Sequence, residues 1–116
     1  MNLSKELVAA SATPIILAIL QSNDSYGYAI IRKVQDISHN EIAWTDGMLY
    51  PVLHRLNSTG LIESYWEKAS NGRRRKYYKI TRAGREELSV LLSQWKVVNH
   101  ALLTLDSQRE GESHDV

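Results

Sequence analysis

The sequence contains no cysteine. Disulfides and thiolate metal sites are therefore excluded, and a reducing compartment fits the composition. Histidine is also sparse. His39, His54, His100 and His114 are scattered, and no two stand four residues apart as metal ligands on one helix face would. No metal and no other cofactor is expected. Long apolar runs are missing as well. The longest candidate, Pro14–Leu20, falls far short of the roughly 18 to 20 residues of a membrane span. The N-terminus has neither the basic-then-apolar order nor the small-residue cleavage site of a secretory signal. A cytoplasmic protein without a membrane partner is expected. There is no Gly-rich phosphate loop and no nucleophile–base motif. Glu86 and Glu87 are adjacent, so their side chains diverge on a helix and make no acid/base dyad. No catalytic residue is assigned, and an enzyme is not expected. Internal repeats are absent too.

Net charge is likewise small, at +1 over 116 residues, but its distribution is uneven. Between Leu61 and Arg85 stand eight cations (Lys68, Arg73, Arg74, Arg75, Lys76, Lys79, Arg82 and Arg85) against the acids Glu63 and Glu67. The end of the chain is the reverse, with Asp106, Glu110, Glu112 and Asp115 against Arg109. A basic centre and an acidic tail nearly cancel, which hides a concentrated positive patch.

The hydrophobic pattern begins helical. Leu3, Leu7, Ala10, Leu17 and Leu20 share one face, interrupted by Pro14, and a kinked or two-piece first helix is expected, with Thr13 a candidate cap for the second piece. Ser22–Ser25 reads as a turn whose last members can cap a second helix over Tyr26–Ile37. Ser38-His39-Asn40 ends that helix, and Glu41–Trp44 is a short extended piece. Thr45 reads as the N-cap of a third helix, with Asp46 in its first turn and an apolar stripe of Leu49, Val52, Leu53 and Leu56. Pro51 falls early enough to be tolerated. Gly60 ends this helix near Ser58. The period then changes to that of strands. Leu61–Lys68 and Lys76–Thr81, separated by the polar Ala69–Arg73, form a β-hairpin in which Tyr77 and Lys79 face one way and Tyr78 and Ile80 the other. Thr81 caps a last helix on which Leu88, Leu91, Trp95, Val98, Leu102 and Leu105 trace a heptad seam, the mark of a helix packed on a partner helix. The acids and Gly111 beyond it suggest a disordered tail over 106–116.

Three helices, a hairpin and a fourth helix make a mainly α fold with a small β-hairpin: a winged helix-turn-helix domain over 1–80 plus one C-terminal dimerisation helix over 81–105. Each part has a task on double-stranded DNA. The third helix is narrow enough for the major groove, where base edges are legible. The hairpin lays Arg73–Lys76 along the phosphate backbone or a minor groove, releasing counterions. The last helix supplies a second subunit, whose two-fold symmetry matches a palindromic site.

Several strings together resemble one known family. They are Tyr26-Gly27-Tyr28-Ala29-Ile30, then Asp46-Gly47-Met48-Leu49-Tyr50-Pro51-Val52-Leu53-His54-Arg55-Leu56, then Gly60-Leu61-Ile62, Gly72-Arg73-Arg74-Arg75-Lys76-Tyr77-Tyr78, and Thr81-x-x-Gly84. They look like the PadR-like repressors, over nearly the whole span from Leu3 to Leu105. A single short C-terminal helix is similar to the smaller subfamily, whose members include multidrug-responsive repressors. The resemblance implies a homodimeric repressor that reads DNA through the third helix, by Thr45, Asp46, Met48, Tyr50, His54 and Arg55, with Tyr50 on a phosphate. It implies wing contacts from Arg73, Arg74 and Lys76, and flanking backbone contacts from Lys5, Arg32 and Lys33. It also implies a dimer interface of Leu7, Leu88, Leu91, Leu92, Trp95, Val98, Leu102 and Leu105. Within that interface a planar aromatic ligand would stack on Trp95, bordered by Pro14, Ala18, Leu88, Leu92 and Asn99. Asn99 stands where some such pockets carry an acid, and Pro14 departs from the family pattern in the first helix.

Plainer readings stand beside these. Trp95 on a heptad seam is read first as a packing anchor and second as a ligand clamp. Trp44 and Trp66 are read as core or strand packing, and His54 as either a surface residue or a DNA contact. A basic run alone is usually a solvated turn, but this one follows a recognition-type helix. The alternative to an effector-released repressor is a winged-helix regulator without an effector, or a protein-interaction module. Clustered wing arginines argue against the module.

Overall fold

The computed structural model describes residues 2–114. Helix α1 spans Lys5–Ser22, and its N-cap Ser4 accepts the Leu7 N–H on its hydroxyl at 3.2 Å. It is one helix with Pro14 inside it, not two pieces. Proline leaves the Ala10 carbonyl without its usual donor, but Ala10 is exposed to water while Pro14 itself is buried. Thr13 therefore caps nothing. Its hydroxyl instead accepts from Arg55 Nη2 at 3.1 Å, fastening α1 to the third helix.

A two-residue strand β1, Ser25–Tyr26, precedes α2, Gly27–Ile37. The expected turn and helix start both shorten to admit this strand. The turn after α2 places His39 at φ 52° and Asn40 at φ 67°, left-handed values that these two residue types tolerate better than most. The Asn40 N–H returns to the Gln35 carbonyl at 2.8 Å, and Ser38 Oγ accepts from the Ile42 N–H at 2.9 Å. The turn is thereby closed on both sides and directs the chain into α3, Asp46–Ser58. Thr45 Oγ1 accepts the Met48 N–H at 3.2 Å, so the cap is the expected one. Gly60 at φ +81° ends this segment.

Strands β2 (Ile62–Lys68) and β3 (Arg74–Ile80) form the hairpin, and β1 pairs with the far edge of β3, so the antiparallel order is β1-β3-β2. The register sets Ile62 opposite Ile80 and Lys68 opposite Arg74. Strand β3 starts at Arg74, earlier than Lys76, because the loop Ala69–Arg73 closes on itself. The Ala69 N–H bonds the Arg73 carbonyl at 2.7 Å, and Gly72 sits at φ +85°. Only Arg73 of the basic run is a tip residue.

One core joins these pieces. Ala12, Ile16, Leu17 and Leu20 of α1 meet Ile30 and Val34 of α2, Leu49, Leu53 and Leu56 of α3, and Ile62, Tyr78 and Ile80 of the sheet, with Trp44 and Leu88 closing the ends. Helix α4, Arg82–His114, starts where Thr81 Oγ1 accepts the Gly84 N–H at 3.0 Å. At 1.5 Å per residue it is roughly 50 Å long, which stretches the chain to 68 × 29 × 22 Å. It does not stop at Leu105, because the segment expected to be disordered continues the helix to His114. An Asp106–Arg109 ion pair at 3.4 Å supports that continuation. The last two residues of the expected tail, 115 and 116, lie outside the described residues.

Candidate nucleic-acid interface

Helix α3 turns about 100° per residue. With Leu49, Leu53 and Leu56 in the core, the opposite face presents Gly47, Pro51 and His54. Tyr50 lies on one flank, and Met48 and Arg55 on the other. His54 and Tyr50 are exposed on adjoining parts of that surface, as are Thr45 and Asp46 at its N-terminal end. Met48 is not open in the same way, since it packs against the core beside Leu3 and Val8. Arg55 is committed to Thr13 on α1.

Tyr50 leans toward α2. Its hydroxyl occupies the space that a Cβ on Gly27 would need, so the ring lies directly on the first turn of that helix. This first turn carries no acid, and its N-cap Tyr26 makes no side-chain capping bond. The start of α2 beside Tyr50 therefore has no side-chain cap, and an anion is favoured at such a helix end.

The wing closes the other side. Between α3, the start of α2 and the hairpin runs a groove of about 600 Å³, lined by Tyr26, Gly27, Tyr28, Tyr50, Trp66, Arg74, Arg75, Lys76 and Tyr78. Three of these are cations and none is an acid. Arg74 lies over Trp66 at 5.3 Å from the ring centroid, Arg75 over Tyr26 at 4.5 Å, and Lys76 Nζ over Tyr78 at 5.9 Å. Each ring holds a cation without neutralising it. At the rim, Arg32 Nη1 donates to Tyr28 Oη at 3.1 Å, which raises the guanidinium pKa further. Behind the wing, Tyr65 Oη donates to Asp24 Oδ2 at 2.7 Å, and this bond, ahead of burial, pushes the phenol pKa up to about 12.

The groove thus unites Tyr50, Arg74 and Lys76 of the expected DNA contacts, with Arg32 at its edge. Others fall elsewhere. Arg73 is at the exposed tip. Lys33 is about 100° further round α2 than Arg32 and lines a separate hollow between α1 and α2, with Ile15, Ala18 and Ile37. Lys5 borders a hollow between α1 and α3. Sequence reasoning gave Tyr26 and Tyr28 no contact and Arg75 only a place in the basic run, and it read Trp66 as packing although the residue is 56% exposed. The signal available for Arg75 was strand alternation, which places it on the face opposite Arg74.

The expected dimer residues divide. Leu88 is 2% exposed and belongs to the chain's own core, and Pro14 is also buried, so neither is free to border a ligand. Leu91 packs on the same core. Trp95 is half-buried, Asn99 and Ala18 are exposed, and Leu7, Leu92, Val98, Leu102 and Leu105 stand open at 39–62% exposure.

This combination of recognition helix, basic wing and long last helix can be set against known proteins. A model of the transcriptional regulator PadR-like family matches residues 16–90. The chain belongs to that family. A transcriptional regulator from Clostridium thermocellum is similar in structure, with a TM-score of 0.78 and 26% identity over 84% of this chain and 95% of that one. A PadR-like transcriptional regulator from Bacillus cereus superposes with a TM-score of 0.76 and 29% identity, over 87% of this chain and 96% of its own. In sequence, the PadR-like chain is 32% identical to an uncharacterized protein of Lysinibacillus sphaericus over 97 residues, 84% of this chain and 89% of that protein. Transcriptional regulation, rather than catalysis, is its role. Among the described residues no helix is long and apolar enough to cross a membrane.

Proposed function

We propose that this PadR-like regulator is a sequence-specific DNA-binding repressor that acts as a homodimer on a palindromic operator. The carrying observation is the groove between α3 and the wing, where three cations, aromatic hydroxyls and an uncapped helix start converge with no acid in the lining. A DNA phosphate fits that chemistry, and a backbone seated there presents His54, Pro51 and Gly47 to the major groove. The wing supplies most of the affinity, because α3 itself carries few charges. The homodimer rests on the open apolar stripe of α4. Val98, Leu102 and Leu105 touch nothing in their own core, and a second copy of the stripe would cover them. A competition titration tests the reading. Duplex DNA from upstream of the protein's own gene and other candidate promoters should bind saturably and outcompete random duplex. Equal, weak binding to every duplex would favour the interaction-module alternative.

Gly27→Ala probes the site without touching a charge. The new methyl displaces the far end of the Tyr50 side chain, so stability should change by less than about 1 kcal/mol. Operator affinity should nevertheless fall severalfold, measured by fluorescence anisotropy, because Tyr50 can no longer lie over α2.

Release of the repressor by a planar aromatic ligand at Trp95 is the finer form of the proposal. Such a ligand would shift the subunit angle, so that the two recognition helices no longer match grooves about 34 Å apart. The burial of Pro14 and Leu88 in the subunit core favours a second reading, in which Trp95 is a packing anchor and there is no effector. Tryptophan quenching by planar aromatics separates the two. Quenching lost in Trp95→Ala supports the ligand, and equal quenching in both proteins leaves Trp95 as an anchor.

A further inference from the structure

We infer that Arg75, racked on Tyr26, is the wing's principal phosphate contact and that Tyr26 is its positioning residue. The inference rests on the DNA-binding reading above and deepens it.

The four cations Arg73–Lys76 are not equivalent. Arg73 projects from the tip, where only its backbone N–H is held, by Asn71 Oδ1 at 3.0 Å. Arg74 and Lys76 are exposed strand residues on one face of β3. Arg75 alternates to the other face, is half-buried, and has the closest ring of the three at 4.5 Å. It still borders the same groove, because Tyr26 stands at the β1 edge where the sheet passes into α2. Arg75 therefore approaches an anion in the groove from the side opposite Arg74 and Lys76.

Tyr26 is itself held firmly. Its ring meets Tyr77 edge-on at 5.3 Å, Tyr77 stacks on Tyr65 at 5.7 Å, and the Tyr65 hydroxyl ends the row on Asp24. β1 pairing sets Tyr26 directly opposite Tyr77. A free arginine side chain loses considerable rotamer entropy when it grips a phosphate. One already stacked on a fixed ring loses less, and that saving appears as affinity.

The test measures operator affinity against salt for Arg75→Ala, Arg73→Ala, Tyr26→Phe, Tyr26→Leu and the Arg75→Ala/Tyr26→Leu pair, with thermal melting as the fold control. Arg75→Ala should weaken binding about tenfold and lower the salt slope by about one, with a smaller loss in Arg73→Ala. Tyr26→Phe keeps the ring and should lose less affinity than Tyr26→Leu. Tyr26→Leu should weaken binding about threefold and add nothing once Arg75 is alanine. Additive losses would make Tyr26 purely structural, an unchanged slope in Arg75→Ala would take Arg75 off the phosphate, and either result overturns the inference. Should Tyr26→Leu fail to fold, Arg75→Lys decides, because it keeps the charge but not the planar stack and should still lose affinity severalfold. Binding by the wild type with an indifferent Arg75 defeats this inference alone. Failure of the wild type to bind any duplex defeats the DNA-binding reading and this inference with it.

Discussion

Gly84→Ala should lower the stability of the fold by about 2 to 3 kcal/mol, near the upper end for overpacking a tight contact. Gly84 lies in the first turn of α4, where the helix passes the chain entering β2. A Cβ there would run into the Leu61 carbonyl oxygen and would also press on Ile80 Cγ1 at 2.7 Å. The carbonyl is backbone and has no rotamer to yield. It also accepts from the Thr81 N–H at 3.1 Å and from Thr81 Oγ1 at 3.0 Å. Displacing it loosens the N-cap of α4 and the start of β2 together. The usual gain of about 1 kcal/mol for alanine over glycine in a helix is too small to offset this. Gly47→Ala is the internal control. Its Cβ would meet nothing closer than Thr45 Oγ1 at 3.9 Å, so the same exchange should stabilise α3 by up to about 1 kcal/mol. In a melt followed by circular dichroism the two variants should move in opposite directions, Gly84→Ala downward by roughly 10 °C. Equal small shifts would mean that α4 is not seated on Leu61 as described.

Val98→Glu and Leu102→Glu should each convert the dimer to a monomer and reduce operator affinity by at least about 100-fold, since tethering two half-site modules is worth roughly 10²- to 10⁴-fold. Both side chains are more than half exposed in the subunit, at 52% and 62%, so neither change removes a contact within the fold. In a dimer the same carboxylates would face an apolar seam and lose their water. Sedimentation equilibrium reads the mass, and circular dichroism checks that the monomer keeps its helices. Both variants remaining dimeric would place the subunit interface off this face of α4.

How much of this was legible in the sequence depended on the type of signal. The α3 cap at Thr45 and the end at Gly60 were readable, because caps are local patterns. Strand β1 was not, because two residues show no period and Ser25 and Tyr26 become a strand only when β3 lies alongside. The basic run read as one block at a tip, yet strand alternation sends Arg75 to the face opposite Arg74 and Lys76. Arg55 read as a DNA contact because the family resemblance implies it. Its partner Thr13 is 42 positions away, beyond any local pattern. Pro14 suggested a break, but it is buried within α1 and the exposed Ala10 carbonyl can be met by water, so the helix stays in one piece. Leu88 fitted the seam by spacing, but seam position alone does not say whether its own core claims a residue first.

The central claim is that the groove between α3 and the wing holds DNA phosphate. It is tested most directly by the salt dependence of duplex binding in the wild type and in Arg74→Ala/Lys76→Ala. Both side chains are exposed, so the double variant should fold normally. The slope of log affinity against log salt should fall by about two, roughly one for each lost contact, and affinity should drop on every sequence alike. A slope equal to that of the wild type would contradict the account and take Arg74 and Lys76 off the DNA.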